Sequence, residues 1–177
     1  MKNDVEKILV SSAELASICK RLAEEISKDY EGKTPLFIGL LKGCNPFISD
    51  LLKNVTIPCE VDYMKVSSYV GTESKGNLRI LNDISTPVKD RHVIVVDDIV
   101  DTGRTTSLIK HLFEQRDAAS VSLCCLLDKP EGRIVDVDVK YIGTKIPNAF
   151  VVGYGLDYNE LYRNLPYIGV LKKEIYN

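Results

Sequence analysis

The sequence predicts an α/β fold built on a largely parallel sheet flanked by helices. Three observations carry this reading. Short apolar runs that read as buried strands alternate with stretches of helical periodicity. The runs at 36–41, 93–96 and 121–127 are almost continuously apolar, as strands covered on both faces are. The 177 residues, 45% of them hydrophobic, suit one domain with a sound core.

Residues 11–30 read as a helix. Ser11 and Glu14 match a capping box, Leu15, Ile18, Leu22 and Ile26 recur on one face, and Gly32 suits the end. Residues 36–41 form a short buried strand that Lys42-Gly43 breaks, and Asn45-Pro46 starts a helix running through Leu52. Residues 59–68, with β-branched and aromatic members, read as a strand. The polar stretch YVGTESKGN (69–77) has two glycines and no periodicity, which predicts a mobile loop before a returning strand at 78–81. Residues 93–96 form the next buried strand and 105–116 the next helix. A third buried strand is expected at 121–127, with further strands at 137–142 and 149–154.

Composition narrows the class. Lys and Arg number 23 against 25 Asp and Glu, so the net charge of -2 gives no general pull toward nucleic acid. Five cysteines (19, 44, 59, 124 and 125) form no CxxC pair, which favours a reducing, cytoplasmic setting. The opening MKNDVEKILVSS carries acids where a signal peptide needs an apolar core, and no apolar run is long enough to span a bilayer.

The stretch VIVVDDIVDTGRTTS (93–107) carries the chemistry. Its apolar strand runs into Asp97 and Asp98, then Asp101 and a run of small hydroxyl residues. Carboxylates at the edge of a core need partners. Asp101-Thr102-Gly103-Arg104-Thr105-Thr106 lies between a strand and a helix N-terminus, where unpaired N–H groups and the helix dipole favour an anion. Gly103 lets the backbone approach closely, and Thr102, Thr105 and Thr106 can donate hydroxyls. Neither GxxxxGK[ST] nor GxGxxG is present. Asp97 and Asp98 would repel a phosphate but suit vicinal hydroxyls or a hydrated Mg²⁺. Phosphate on one side and diol plus metal on the other describe a ribose 5-phosphate. The plainer alternative is a strand-end acid pair and an Asp/Thr-capped helix, and the residues alone leave both open. Ligands of such sheets bind beyond the carboxyl ends of the strands, where this segment lies.

The pattern of apolar strand, two acids, two apolar residues and D-T-G-x-T resembles the phosphoribosyl-pyrophosphate signature of the type I phosphoribosyltransferases. Leu41-Lys42-Gly43 resembles the pyrophosphate loop of the purine enzymes, and Ser68-Tyr69 the start of their closing lid, about 68–78. LLDKP (126–130) and IPNAFVVGYGLDYNELYRNLPYIGVL (146–171) resemble their purine-binding strand and hood, so the likeness covers nearly the whole chain. The resemblance implies one phosphoribosyltransferase domain with a small hood drawn from both chain termini. It implies transfer of a phosphoribosyl group to a 6-oxopurine, with Mg²⁺, by a homodimer or homotetramer.

The resemblance also assigns roles. Asp101 matches the general base near purine N7. Asp97 and Asp98 match the ribose-diol pair, where the family often has Glu first. Lys129 matches the lysine that donates to the exocyclic O6; a donor without an acceptor rejects 6-amino purines. Phe150 would stack on the base, and Val151 would meet it through its backbone. Asp157, on the purine side, matches a second metal ligand, and Arg163 an arginine gripping pyrophosphate. Lys42 and Gly43 would offer backbone N–H groups beside a non-proline cis peptide. Two rivals remain: a xanthine-preferring enzyme, and a phosphoribosyl-pyrophosphate sensor that binds nucleic acid, which the acidic balance disfavours.

Overall fold

A computed structural model describes residues 1–68 and 78–176. In chain order the elements are β1 (Val5–Val10), α1 (Ser12–Asp29), β2 (Leu36–Leu41), α2 (Asn45–Leu52), β3 (Glu60–Ser68), β4 (Leu78–Asn82), β5 (His92–Val100), α3 (Arg104–Gln115), β6 (Ser120–Asp128), β7 (Tyr141–Lys145), β8 (Val151–Val152), β9 (Ile168–Leu171) and α4 (Lys173–Tyr176). Six strands form the main sheet in the order β4-β3-β2-β5-β6-β7, parallel except for β4, which runs antiparallel to β3. The predicted α/β class and parallel core are present.

The buried runs have two cores to fill. Leu36, Ile38, Leu40, Val93 and Val95 pack with Ile109 and Phe113 of α3. Phe37, Ile94 and Val96 point to the other side, against Leu15, Leu22 and Ile26 of α1 and Phe47 and Ile48 of α2. Period-two alternation is therefore absent from these strands because both faces are covered. Ser11 caps α1 through a complete capping box, accepting from the Glu14 N–H while Glu14 accepts from the Ser11 N–H.

Three expected boundaries move. The strand read at 93–96 extends to Val100, so Asp97 and Asp98 lie within the β5 ladder, with Asp97 opposite Cys125. Apolarity marks where a strand is buried, not where its hydrogen bonding stops. The strand expected at 137–142 is instead β7 at Tyr141–Lys145. Upstream of it, the N–H groups of Ile134 and Val135 both go to the carbonyl of Thr102, which ties that segment to the loop before α3. The strand expected at 149–154 shrinks to Val151–Val152, because Gly153 (φ 98°) and Tyr154 (φ 48°) turn left-handed.

A second, three-stranded antiparallel sheet, β1-β9-β8, joins the two ends of the chain. The parallel strands β2, β5 and β6 end along one edge of the main sheet, and Lys42, Asp101 and Lys129 directly follow them. Between β2 and β5 the strand order departs in opposite directions, which is the crevice where open sheets of this kind bind ligands.

Candidate functional site

At the carboxyl edge of the sheet, β5 supplies the acids. Asp97 and Asp98 are half-buried, and the Asp98 N–H donates to Asp97 Oδ1 at 3.0 Å. No Lys, Arg or His nitrogen lies within ion-pair distance of either carboxylate among the described residues. Burial, and then the neighbouring Asp98 charge, push Asp97 well above the usual carboxylate range; burial also raises Asp98. Gly43 explains how the loop after β2 comes so close. A Cβ there would meet Asp98 Oδ2 at 1.6 Å, so only glycine fits. The peptide between Leu41 and Lys42 is cis.

The turn from β5 to α3 is built around Gly103, whose φ is 79° and whose missing Cβ leaves room for the Val135 carbonyl. Gly103 is also the N-cap, so the Thr105 and Thr106 N–H groups, in the first turn, have no intrahelical acceptor. The Arg104 N–H reaches Thr102 Oγ1 at 3.4 Å. Thr102 and Thr105 keep solvent access, whereas Thr106 is only 3% exposed.

Asp101 and Lys129 meet. Lys129 Nζ donates to Asp101 Oδ2 at 3.1 Å, and the Lys129 N–H donates to the Val100 carbonyl at 3.0 Å. Two residues that sequence reasoning did not single out hold this pair. Arg133 Nε donates to the Asp101 carbonyl at 3.0 Å, while its other arm pairs with the buried carboxylate of Asp128. Gly132 leaves space for Asp101 Oδ1, which a Cβ would meet at 1.9 Å. The only local hint was a glycine–arginine pair three residues past a strand-end lysine.

The loop between β8 and β9 brings cations. Arg163 donates to the Gly155 carbonyl at 2.7 Å, to Asp157 Oδ1 at 2.9 Å and to Glu160 Oε2 at 3.2 Å. Lys42 reaches the same Glu160 oxygen at 2.9 Å, which links the loop after β2 to this one. Gly155 packs on that loop too, since a Cβ on it would meet the Gly43 carbonyl at 2.0 Å. Arg163 Nε is buried and has no acceptor among the described residues, an unpaired donor whose natural complement is an anionic oxygen. Asp157 Oδ2 accepts the Glu160 N–H at 2.9 Å, so both of its oxygens are engaged within the chain. Phe150 is 38% exposed beside buried Val151. No group of three or more His, Cys, Asp or Glu is poised for a metal among the described residues. Ser68 ends β3, and Tyr69, the other residue assigned to a lid, lies outside the described residues.

A model of the phosphoribosyl transferase domain matches residues 7–159. The chain belongs to the phosphoribosyl transferase family. Its relatives within that family are named for hypoxanthine and guanine. It is 50% identical to the hypoxanthine-guanine phosphoribosyltransferase of Streptococcus pneumoniae, over all of this chain and 99% of that protein. Among solved structures, the hypoxanthine phosphoribosyltransferase of Staphylococcus aureus superposes with a TM-score of 0.96 at 46% identity, covering 100% of this chain and 97% of that one. A hypoxanthine-guanine phosphoribosyltransferase of Bacillus anthracis gives a TM-score of 0.89 at 37% identity, over 95% and 98% of the two chains. The phosphoribosyltransferase described here is accordingly an enzyme of the transferase class, and the type I fold expected from its sequence stands.

Proposed function

We propose that this phosphoribosyltransferase is a purine salvage enzyme. It transfers the 5-phosphoribosyl group of phosphoribosyl pyrophosphate to N9 of hypoxanthine and guanine, giving the purine 5′-nucleotide and pyrophosphate. The observation that carries the reading is the Asp101–Lys129 pair at 3.1 Å, at the turn that leads into the N-terminus of α3. A donor and a proton acceptor side by side suit the O6 and N7 edge of a 6-oxopurine.

The other roles follow from the chemistry of each group. The N–H groups of residues 102–106, with the hydroxyls of Thr102, Thr105 and Thr106, receive the 5′-phosphate. Arg104, exposed at the helix start, adds charge there. Asp97 and Asp98 accept the ribose hydroxyls, which bring donors to carboxylates that have no ion-pair partner among the described residues. Phe150 stacks on the base and the Val151 backbone meets its edge. Arg163, with Lys42 and the N–H groups at Lys42-Gly43, takes the negative charge that grows on pyrophosphate as the bond to C1′ breaks.

Mg²⁺ is the cofactor of this reading. The donors near the crevice are hard carboxylate oxygens, which suit a hydrated divalent ion that also takes substrate phosphates. Asp157 would hold it, with Asp97 and Asp98 on the ribose side, and Arg163 would release Asp157 to do so. When bound, the ion supplies neutralising charge to the leaving pyrophosphate.

Five free thiols and a net charge of -2 support a cytoplasmic setting without a nucleic-acid partner. No helix among the described residues is long and apolar enough to cross a membrane. The whole chain is read as one domain, assembled as a homodimer or homotetramer.

The deciding experiment follows pyrophosphate release from phosphoribosyl pyrophosphate and Mg²⁺ with hypoxanthine, guanine, xanthine, adenine or uracil supplied singly. Turnover with hypoxanthine or guanine and none with adenine is expected. Turnover confined to xanthine, or none with any base, would overturn the reading.

A further inference from the structure

Phe150 is not an isolated ring. Tyr176 of α4 stacks on it, with centroids 4.7 Å apart and planes 22° from parallel. Tyr158 closes on its edge at 5.7 Å and 87°, and Tyr158 and Tyr176 touch each other edge to face at 6.5 Å. A flat ring has two faces. One is taken by Tyr176, and Phe150 is still 38% exposed, so ring surface remains for a ligand.

The route by which Tyr176 arrives there is long. Its helix has only four residues, too few to hold itself in water. It is held from outside. The Leu171 N–H donates to the Phe150 carbonyl at 2.9 Å, the Lys172 N–H to the Asp4 carbonyl at 2.9 Å, and the Ile175 N–H to the Lys172 carbonyl at 3.0 Å. The Asp4 carboxylate in turn accepts from the Tyr162 hydroxyl and the terminal ammonium, each at 3.0 Å. Both ends of the chain are thus braided behind one aromatic ring.

We propose that Tyr176 is a positioning residue for the purine. It backs Phe150, fixes the tilt of that ring and so sets how well it stacks on the base. The inference rests on the reading of Phe150 as the stacking residue, and it adds a third ring behind that one. Stacked rings gain from being held in a defined geometry, since a ring free to rotate must be ordered by the base when it binds. The Tyr176 hydroxyl has no part in this, so phenylalanine should replace it.

The test compares Tyr176→Ala, Tyr176→Phe and Phe150→Ala by steady-state kinetics, with the KM for hypoxanthine and for phosphoribosyl pyrophosphate measured separately. Tyr176→Ala is expected to raise the hypoxanthine KM about three- to tenfold, the size of one lost aromatic pair. The KM for phosphoribosyl pyrophosphate should hold, and Tyr176→Phe should restore the parent value. A merely structural role would raise both KM values or lower the melting temperature without the split. An unchanged hypoxanthine KM overturns the proposal, and so does a lower one, which would mean that Tyr176 covers the face the base needs. Phe150→Ala separates the two layers. If it leaves the hypoxanthine KM unchanged, the stacking assignment of Phe150 itself fails. If it raises that KM while Tyr176→Ala does not, only the backing role falls.

Discussion

The end of β5 and the loop between β8 and β9 both bring acids to the crevice, and they treat them in opposite ways. Among the described residues Asp97 and Asp98 have no cation within ion-pair distance, and burial holds them above the usual carboxylate range. Asp157 and Glu160 are each answered by Arg163, and Glu160 also by Lys42. One acid pair has no ion-pair partner among the described residues; the other keeps two cations in place and their charge balanced. The first arrangement stores instability that a polyhydroxyl ligand can relieve. The second stores a pair of anion-binding groups that are already positioned. A site meant to hold a sugar and a diphosphate needs both, and the two halves come from different parts of the architecture. β5 lies at the centre of a rigid parallel sheet, while the second half hangs from a small sheet that joins the chain ends.

The largest test lies between the two halves, at Asp101. If it is the proton acceptor facing the base, Asp101→Asn should lower turnover about a hundredfold or more, with the KM for phosphoribosyl pyrophosphate nearly unchanged. The melting temperature should also hold, because asparagine keeps the size of the side chain. An equal loss in binding and turnover would instead make Asp101 part of the phosphate cradle.

Arg163 comes next, and it probes the balanced half. Its guanidinium spans Gly155, Asp157 and Glu160 at once, and Nε has no acceptor among the described residues. A lysine carries the charge but not the fork. Arg163→Lys should raise the KM for phosphoribosyl pyrophosphate about tenfold, the loss expected for one charge-assisted hydrogen bond, and leave the hypoxanthine KM alone. A matching rise for both substrates would mean that Arg163 merely organises the loop.

The unbalanced half is tested by stability. Asp97 has a raised folded-state pKa. Above the unfolded value near 4, the folded chain retains a proton that the unfolded chain has released. Folding is therefore favoured less as pH rises through that window. Asparagine removes the cost. In metal-free buffer, Asp97→Asn should melt a few degrees above the parent near pH 8, and the lead should vanish toward pH 4. Its turnover should fall, the usual exchange of stability for function. A variant that melts lower at pH 8 would break the contrast drawn between the two halves.

How far the sequence showed this depends on which half is asked about. β2, α1 and α2 were legible because their signals are local: an apolar run, a capping box, a proline at a helix start. The acids and the D-T-G-x-T turn were legible because five adjacent residues carry most of that chemistry. The small sheet was not. β1 is mostly exposed, so it shows no clear apolar pattern, and it pairs with β9 more than 150 residues away. Tyr154, Glu160 and Tyr162 adopt left-handed backbone that no local rule assigns to such residues. Arg133, Glu160 and Tyr176 were missed for a related reason. Each is an ordinary residue whose meaning comes from a distant partner.

Glu160 gives the smallest expected effect and the finest test of the contrast. Its carboxylate bridges Lys42 and Arg163, the two cations proposed for pyrophosphate. Lys42, then Arg163, hold its pKa below the ordinary value, so any stability it adds is present above the unfolded value and fades as the pH falls through the folded one. That is the reverse of Asp97. The group is exposed, however, and exposed ion pairs are screened, so Glu160→Gln should shift melting very little at any pH. Its effect should be on binding. With the bridging charge gone, the two cations no longer have to leave a partner, and the KM for phosphoribosyl pyrophosphate should fall about twofold. A rise instead would show that Glu160 holds the cations in position, and that the balanced half depends on its acids for geometry as well as for charge.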